Sequence, residues 1–206
     1  FHIFYFYDVL VKWIVVKIII LNGLKKTKVE ELKRIEIDQF KKKKKREVII
    51  ILDNLRSLNN IGSCFRTCDA FLIKKIYLVG ITGSPPNKDI DRTALGATES
   101  IEWEYVKCIS EIEKNLKKNG WKLALIEQTN KSINLKDFNP KIEDKYAFVF
   151  GNEVFGVSEE SLSCADFAIE IPQFGTKHSF NITVSLGIVL WDHFNKTTRA
   201  HRGMGA

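Results

Sequence analysis

Three short segments of this chain carry side chains able to bind an anion, hold a sugar or move a proton. The first is Asn59-Asn60-Ile61-Gly62-Ser63-Cys64-Phe65-Arg66-Thr67. Asn60 can cap a helix N-terminus. Arg66 lies off the apolar stripe of Ile61, Phe65 and Cys68, so its planar guanidinium is free to grip a carboxylate or phosphate. The second is Phe150-Gly151-Asn152-Glu153-Val154-Phe155-Gly156. Its two glycines, five apart around an acid, imply a tight turn with close backbone approach. The Glu153 carboxylate could equally cap a helix starting near Ser158. The third runs from Ile171-Pro172 through Gly175 and His178 to Ser179-Phe180-Asn181-Ile182-Thr183-Val184-Ser185. There Ser179 and Asn181 can cap the helix that follows. Taken singly, each segment has a commonplace reading: an N-cap, a strand-to-helix turn, a surface arginine or histidine. The fingerprints of other chemistries are missing. No Gly-x-Gly-x-x-Gly follows a strand, and there is no Gly-Lys-Ser/Thr loop and no Gly-x-Ser-x-Gly elbow.

The elements that must position these segments alternate between strand and helix. Residues 48–52 are apolar in succession, the pattern of a strand buried on both faces. Similar runs predict strands at 76–79, 101–106, 123–126, 146–150 and 167–171. Helical spacing predicts helices over 29–40, 61–72, 109–119 and 182–194. The last is almost wholly apolar and should be buried on most sides. Residues 53–60 and 80–91 read as loops, the second carrying Gly83, Pro85, Pro86 and Asn87. This alternation argues for an α/β fold, a mainly parallel sheet with helices on both faces. The three segments then follow strand C-terminal ends, where open α/β sheets bind ligands.

The 206 residues suit one medium domain, and 45% apolar with 28% charged is ordinary globular composition. The net charge of +7 is localised. Residues 22–46 hold eleven basic and four acidic side chains, whereas 47–206 hold nineteen against twenty. Such a patch can hold a polyanion; the run at 41–46 reads equally well as a solvated linker. The four cysteines form no Cys-x-x-Cys pair and no zinc spacing, and read as reduced, mostly buried residues. Residues 1–21 hold seventeen apolar residues, interrupted by His2, Asp8, Lys12 and Lys17. Two lysines and an aspartate make a membrane span costly. This stretch is expected to stand outside the core, as an upstream extension or arm.

In this order, the three segments resemble the three motifs of the SpoU/TrmH family of RNA ribose 2′-O-methyltransferases, within the knotted SPOUT superfamily. Asn60 to Arg66 resembles the first, Gly151-x-Glu153-x-x-Gly156 the second, and Ile171-Pro172 to Ser185 the third. Thr93-Ala94-Leu95-Gly96-Ala97 is similar to another family segment. The resemblance covers roughly 48–194. Phe180 stands where the family often has Leu, and Ile182-Thr183 where Val-Ser is common.

The resemblance implies a C-terminal deep trefoil knot, a homodimer, and methyl transfer from S-adenosylmethionine to a ribose 2′-hydroxyl of tRNA or rRNA. It assigns Asn60, Arg66, Glu153, Ser179 and Asn181 to the catalytic site. It assigns Gly151, Gly156, Ile171, Pro172 and Phe180 to the donor, with no metal. Because a guanidinium is ordinarily protonated, Arg66 either holds the phosphate beside the target ribose or becomes a base in a perturbing pocket. Asn60, Ser179 and Asn181 then orient Arg66 and the ribose, and Glu153 holds the loop. The implied organisation is an apolar extension at 1–21, a basic amphipathic segment at 22–46, the methyltransferase domain at 47–195 and a tail at 196–206. The protein is expected to be cytoplasmic, without stable membrane association. A catalytically inactive RNA-binding module of the same fold is the competing reading.

Overall fold

The computed structural model describes residues 11–15, 17, 26–28 and 35–199. Residues 1–36 and 37–206 form two separate compact units. In the first, 11–15 and 17 are helical; most of the 1–21 stretch lies outside the described residues. No helix among the described residues is long and apolar enough to cross a membrane.

The second unit is built on seven strands: β1 (Arg46–Asp53), β2 (Ile73–Val79), β3 (Glu102–Val106), β4 (Trp121–Ile126), β5 (Ile133–Asn134), β6 (Lys145–Phe150) and β7 (Phe167–Glu170). They form one sheet in the order β3-β2-β1-β6-β4-β7-β5, every pairing parallel. Among the described residues seven helices accompany it: α1 (Ile37–Lys42), α2 (Leu58–Ala70), α3 (Lys88–Ala94), α4 (Ala97–Ser100), α5 (Ser110–Lys118), α6 (Glu159–Cys164) and α7 (Ile182–Arg199).

The apolar run of β1 explains the layering. Alternate side chains point to opposite faces: Val48, Ile50 and Leu52 join one core with Ile61, Phe65, Leu186 and Val189. Ile49 and Ile51 join the other with Ile112, Leu116 and Cys164. Both faces are therefore covered, as a parallel sheet requires. Three cysteines are buried and all four are free; burial pushes the Cys64 thiol up to about 12.

Several sequence expectations shift. Helix α2 begins at Leu58, capped by Ser57, whose hydroxyl accepts from the Asn60 amide N–H; Asn60 is not the cap. The expected loop at 80–91 ends at Asn87, whose side chain caps α3 by accepting from Asp89 N. The predicted helix over 29–40 is helical only from Ile37 and runs to Lys42; 29–34 lie outside the described residues. The two-residue strand β5 carries too little pattern to be read. Helix α7 runs to Arg199, beyond the apolar pattern, because Lys196 donates to the carbonyls of Leu135 and Phe138, both at 2.7 Å. Nor is α7 buried on most sides: Val184 and Trp191, seven residues apart and so on one face, are 48% and 57% exposed.

Buried in α7 is His193, edge-on to the Tyr146 and Phe148 rings, with no partner for Nε2 among the described residues. Burial, with a smaller push from Arg46, lowers its pKa to about 4. The folded state thus holds it neutral, while the unfolded chain takes a proton near pH 6.5. Its stabilisation is complete above about pH 6.5 and falls away towards pH 4, by about 3 kcal/mol in all. Unfolding midpoints measured from pH 7 to 5 should fall in the wild type and stay flatter in His193→Phe.

Candidate active site

The C-terminal ends of β4, β6 and β7 open onto one cavity of about 530 Å³. From β4 come Ile126, Glu127 and Gln128; from β6, Phe150 and the turn 151–156; from β7, Glu170, Ile171 and Gln173. The wall is closed by 178–182 and Ser185, at the start of α7.

The 151–156 turn owes its shape to two glycines and to Asn152. Asn152 and Gly156 exchange backbone hydrogen bonds of 2.7 and 3.0 Å. Asn152 Oδ1 accepts from Val154 N and Phe155 N, and Asn152 Nδ2 donates to the Asn54 carbonyl at 2.7 Å. A Cβ on Gly151 would lie 2.1 Å from the Gly156 carbonyl carbon, so only glycine fits. Gly156 has φ +70°, which favours glycine, and its missing side chain admits the Glu127 carboxylate.

Glu153 leaves this turn toward α2, not toward α6. It accepts from Arg56 N and Ser57 N at 3.2 Å and from Asn60 Nδ2 at 3.1 Å. It therefore neutralises orphan donors at the α2 N-terminus. Burial would raise its pKa, but the backbone N–H groups of Glu153, Arg56 and Ser57 and the Asn60 amide outweigh this and hold it below the ordinary value. The α6 N-terminus is capped instead by Ser158, whose hydroxyl accepts from Ser161 N, and the buried Asp53 braces it by accepting from Ser158 N and Ser161 Oγ.

Asn60 joins two motifs to the third. A carboxylate only accepts, so Asn60 must turn its Nδ2 to Glu153; its Oδ1 then accepts from Asn181 Nδ2 at 3.3 Å. Asn181 Oδ1 in turn accepts from Thr183 N and so caps α7. Ser179, expected to share that capping, lies two residues earlier on the cavity wall. The relay Thr183–Asn181–Asn60–Glu153 thus has one consistent donor direction and ties residues 93 and 121 positions from Asn60 to the first turn of α2.

Gly151, Glu153, Gly156, Ile171, Ser179, Phe180 and Asn181 line the cavity, whereas Pro172 does not, although Ile171 and Gln173 beside it do. Nor does Arg66. It is exposed on α2 and makes no hydrogen bond or ion pair among the described residues. Gly62 lets α3 approach α2, since a Cβ there would meet Thr93 Oγ1 and the Ile90 carbonyl. Thr93 also donates to the Asn59 carbonyl at 3.0 Å, which links the 93–97 segment to the first motif. Sequence reasoning missed Asn152, Glu127 and Gln128. The apolar run at 123–126 followed at once by two polar residues was the available signal for the last two. Gln128 and Gln173 both donate to the His178 carbonyl and steady the loop before α7.

The family model of the SpoU rRNA Methylase family matches residues 47–191. The chain belongs to the SpoU rRNA methylase family. Among curated SpoU relatives, a tRNA (guanosine(18)-2′-O)-methyltransferase of Thermus thermophilus is 30% identical over 79% of this chain and 81% of the relative. The 23S rRNA (guanosine-2′-O-)-methyltransferase RlmB of Neisseria meningitidis is 29% identical over 69% of this chain and 56% of its own length. The solved TrmH/SpoU tRNA modifying enzyme of A. aeolicus aligns with a TM-score of 0.69 at 25% identity, covering 82% and 84% of the two chains. The SpoU methyltransferase AviRb of Streptomyces viridochromogenes, solved with AdoMet, shares the fold at a TM-score of 0.69 and 18% identity, over 80% and 65%.

Proposed function

We propose that this SpoU-family protein transfers a methyl group from S-adenosylmethionine to a ribose 2′-hydroxyl of tRNA or rRNA. The observation that carries this is the relay of Asn60, Glu153 and Asn181, which joins all three motifs at the rim of one cavity. The activities of the Thermus and Neisseria relatives support it. An inactive binding module is disfavoured, because Asn60, Arg66, Glu153, Ser179 and Asn181 are all present and the relay is intact.

The cavity suits the donor. Its volume falls in the range of about 300–1,000 Å³ usual for small-molecule sites. Ile171 and Phe180 offer apolar cover for a purine, and the glycines at 151 and 156 bring backbone groups to the wall. These residues, with Pro172 shaping the loop between Ile171 and Gln173, would hold the donor, which supplies an electrophilic methyl carbon. The chain's own task is to hold a poorly acidic hydroxyl in line and to take its proton. Ser179 and Asn181 orient the ribose, Glu153 fixes the turn, and Arg66 holds the neighbouring phosphate or receives the proton. At the mouth, exposed Phe155 with the Arg56 guanidinium 5.9 Å from its ring offers the aromatic and cationic surface that unpaired nucleotides use.

The same reading includes a trefoil knot formed by the chain after β6, a methyltransferase domain at 47–195 and a cytoplasmic location. It also includes a homodimer, favoured by the exposed Val184 and Trp191 on α7. Calorimetry with purified, metal-free protein should give binding of S-adenosylmethionine. Incubation with the donor and total RNA should give acid-stable 2′-O-methylnucleotides. Failure of both would refute the proposal.

The basic segment adds RNA capture. Lys41 to Lys44 are exposed, but Phe40 is buried and Lys45 lies over its ring, so deleting 22–46 would damage the core as well as the charge. Changing Lys41, Lys42, Lys43 and Lys44 to Gln isolates the charge. The log–log slope of RNA affinity against salt should flatten by about 0.7 for every single-strand phosphate no longer neutralised, with donor affinity unchanged. An unchanged slope would make this run a solvated linker.

A further inference from the structure

The cavity is acidic in a chain whose net charge is +7. Glu127, Glu153 and Glu170 line it, and among the described residues no lysine or arginine does. Glu153 is committed to the α2 N-terminus through three donors. Glu170 Oε2 accepts from Ser132 Oγ at 2.8 Å. Glu127 is placed differently. It follows β4 directly and stands against the 151–156 turn, with Oε2 accepting from Val157 N at 3.3 Å and Oε1 from Gln128 N at 2.9 Å. A Cβ on Gly156 would lie 2.4 Å from Glu127 Oε2, so the turn is shaped to admit this carboxylate. A carboxylate has about four acceptor positions, and these two bonds leave capacity towards the cavity.

We infer that Glu127 makes the pocket selective for charge, favouring S-adenosylmethionine over its demethylated product; this rests on the reading of the cavity as the donor site. The donor carries a sulfonium and the product a neutral thioether, and the two are otherwise alike but for one methyl. Apolar walls and backbone groups contact both molecules equally, so only a charge on the wall separates them strongly. A round cavity of this volume is about 10 Å across, comparable with the Debye length of about 8 Å at physiological ionic strength. A cation anywhere inside therefore feels Glu127 with little screening. Loss of the methyl removes that attraction, and product exchange for fresh donor follows. Glu127 is thus a specificity-determining residue whose effect is read in binding, with no turnover needed.

The test is calorimetric titration of the full chain with S-adenosylmethionine and with S-adenosylhomocysteine. In Glu127→Gln, which keeps size and one oxygen, donor affinity should fall about tenfold, the scale of a charge pair several ångströms apart at an effective dielectric near 20. Product affinity should stay within about twofold, so the preference narrows by about tenfold while Glu153 and Glu170 keep the rest. Glu99→Gln, at an exposed position of α4, should leave it unchanged. In the wild type, the preference should narrow as salt rises to about 1 M, where the Debye length is about 3 Å. Equal weakening of both ligands in Glu127→Gln would mean that Glu127 only braces the turn, and would overturn the inference. If the variant does not fold, a wild-type preference independent of salt overturns it instead. Binding of neither ligand by the wild type would overturn the donor-site reading itself.

Discussion

Gly151→Ala is expected to weaken binding of S-adenosylmethionine severely while leaving a folded protein of lower stability. A Cβ at this position would lie 2.1 Å from the Gly156 carbonyl carbon and 2.2 Å from Val157 N. Both are backbone atoms, so no side-chain rotation relieves the clash. The turn must open, and Asn152 then loses its paired bonds to Gly156 and its hold on Val154 N and Phe155 N. Glu153 moves with it, and the α2 N-terminus loses three hydrogen bonds. Overpacking of this kind costs about 1–3 kcal/mol, which lowers the unfolding midpoint by roughly 2–12 °C in a domain of this size. Donor affinity should fall at least about 30-fold, because the displaced backbone is itself the cavity wall. Gly120→Ala is the matched control. Gly120 has φ +80°, so alanine is strained there, but its Cβ meets nothing within 4 Å. It should lose stability and keep the donor. Unchanged donor affinity in Gly151→Ala would show that the 151–156 turn is not the donor wall.

The parallel sheet and its two-sided burial were legible because β1 is uninterrupted apolar sequence, and only a strand covered on both faces needs that. The three motif segments were legible as strand-end loops for the same reason: each follows such a run. What the sequence did not disclose is who bonds to whom. Glu153 and Asp53 are both acids beside helix starts, and proximity in sequence pairs Glu153 with α6. In the fold, Glu153 crosses to α2 while Asp53 crosses to α6, an exchange that depends on β1 and β6 being neighbours in the sheet. Ser57 displaced Asn60 as the cap because Asn60 is needed by Glu153 and Asn181. Glu127 went unnoticed because a lone acid after a short strand has no periodicity. Its meaning appears only where Gly156, 29 residues later, makes room for it.

Arg66→Ala should reduce methyl transfer about 100-fold or more while leaving fold and donor affinity as they were. The fold permits this separation. Arg66 is exposed on α2 and has no hydrogen bond or ion pair among the described residues, so its removal disturbs no internal bond. An exposed arginine of that kind contributes only a few tenths of a kcal/mol to stability. The cavity wall does not include it, so the donor should bind the variant normally. Yet it lies six residues beyond Asn60 on the same helix, about 9 Å along the axis, at the motif position to which the family resemblance assigns chemistry. A free guanidinium is fitted to a phosphate through paired hydrogen bonds. A group that holds the target phosphate, or takes the hydroxyl proton, acts mostly in the transition state, and its removal appears in kcat. Arg66→Lys should restore little, since a compact ammonium cannot reproduce the planar fork. The decisive comparison sets single-turnover methylation of RNA beside calorimetric donor binding and the unfolding midpoint of the same preparation. Near-normal methylation by Arg66→Ala, with the other two unchanged, would reduce Arg66 to a surface residue and move the search for the proton acceptor to Ser179 and the Asn60–Glu153–Asn181 relay.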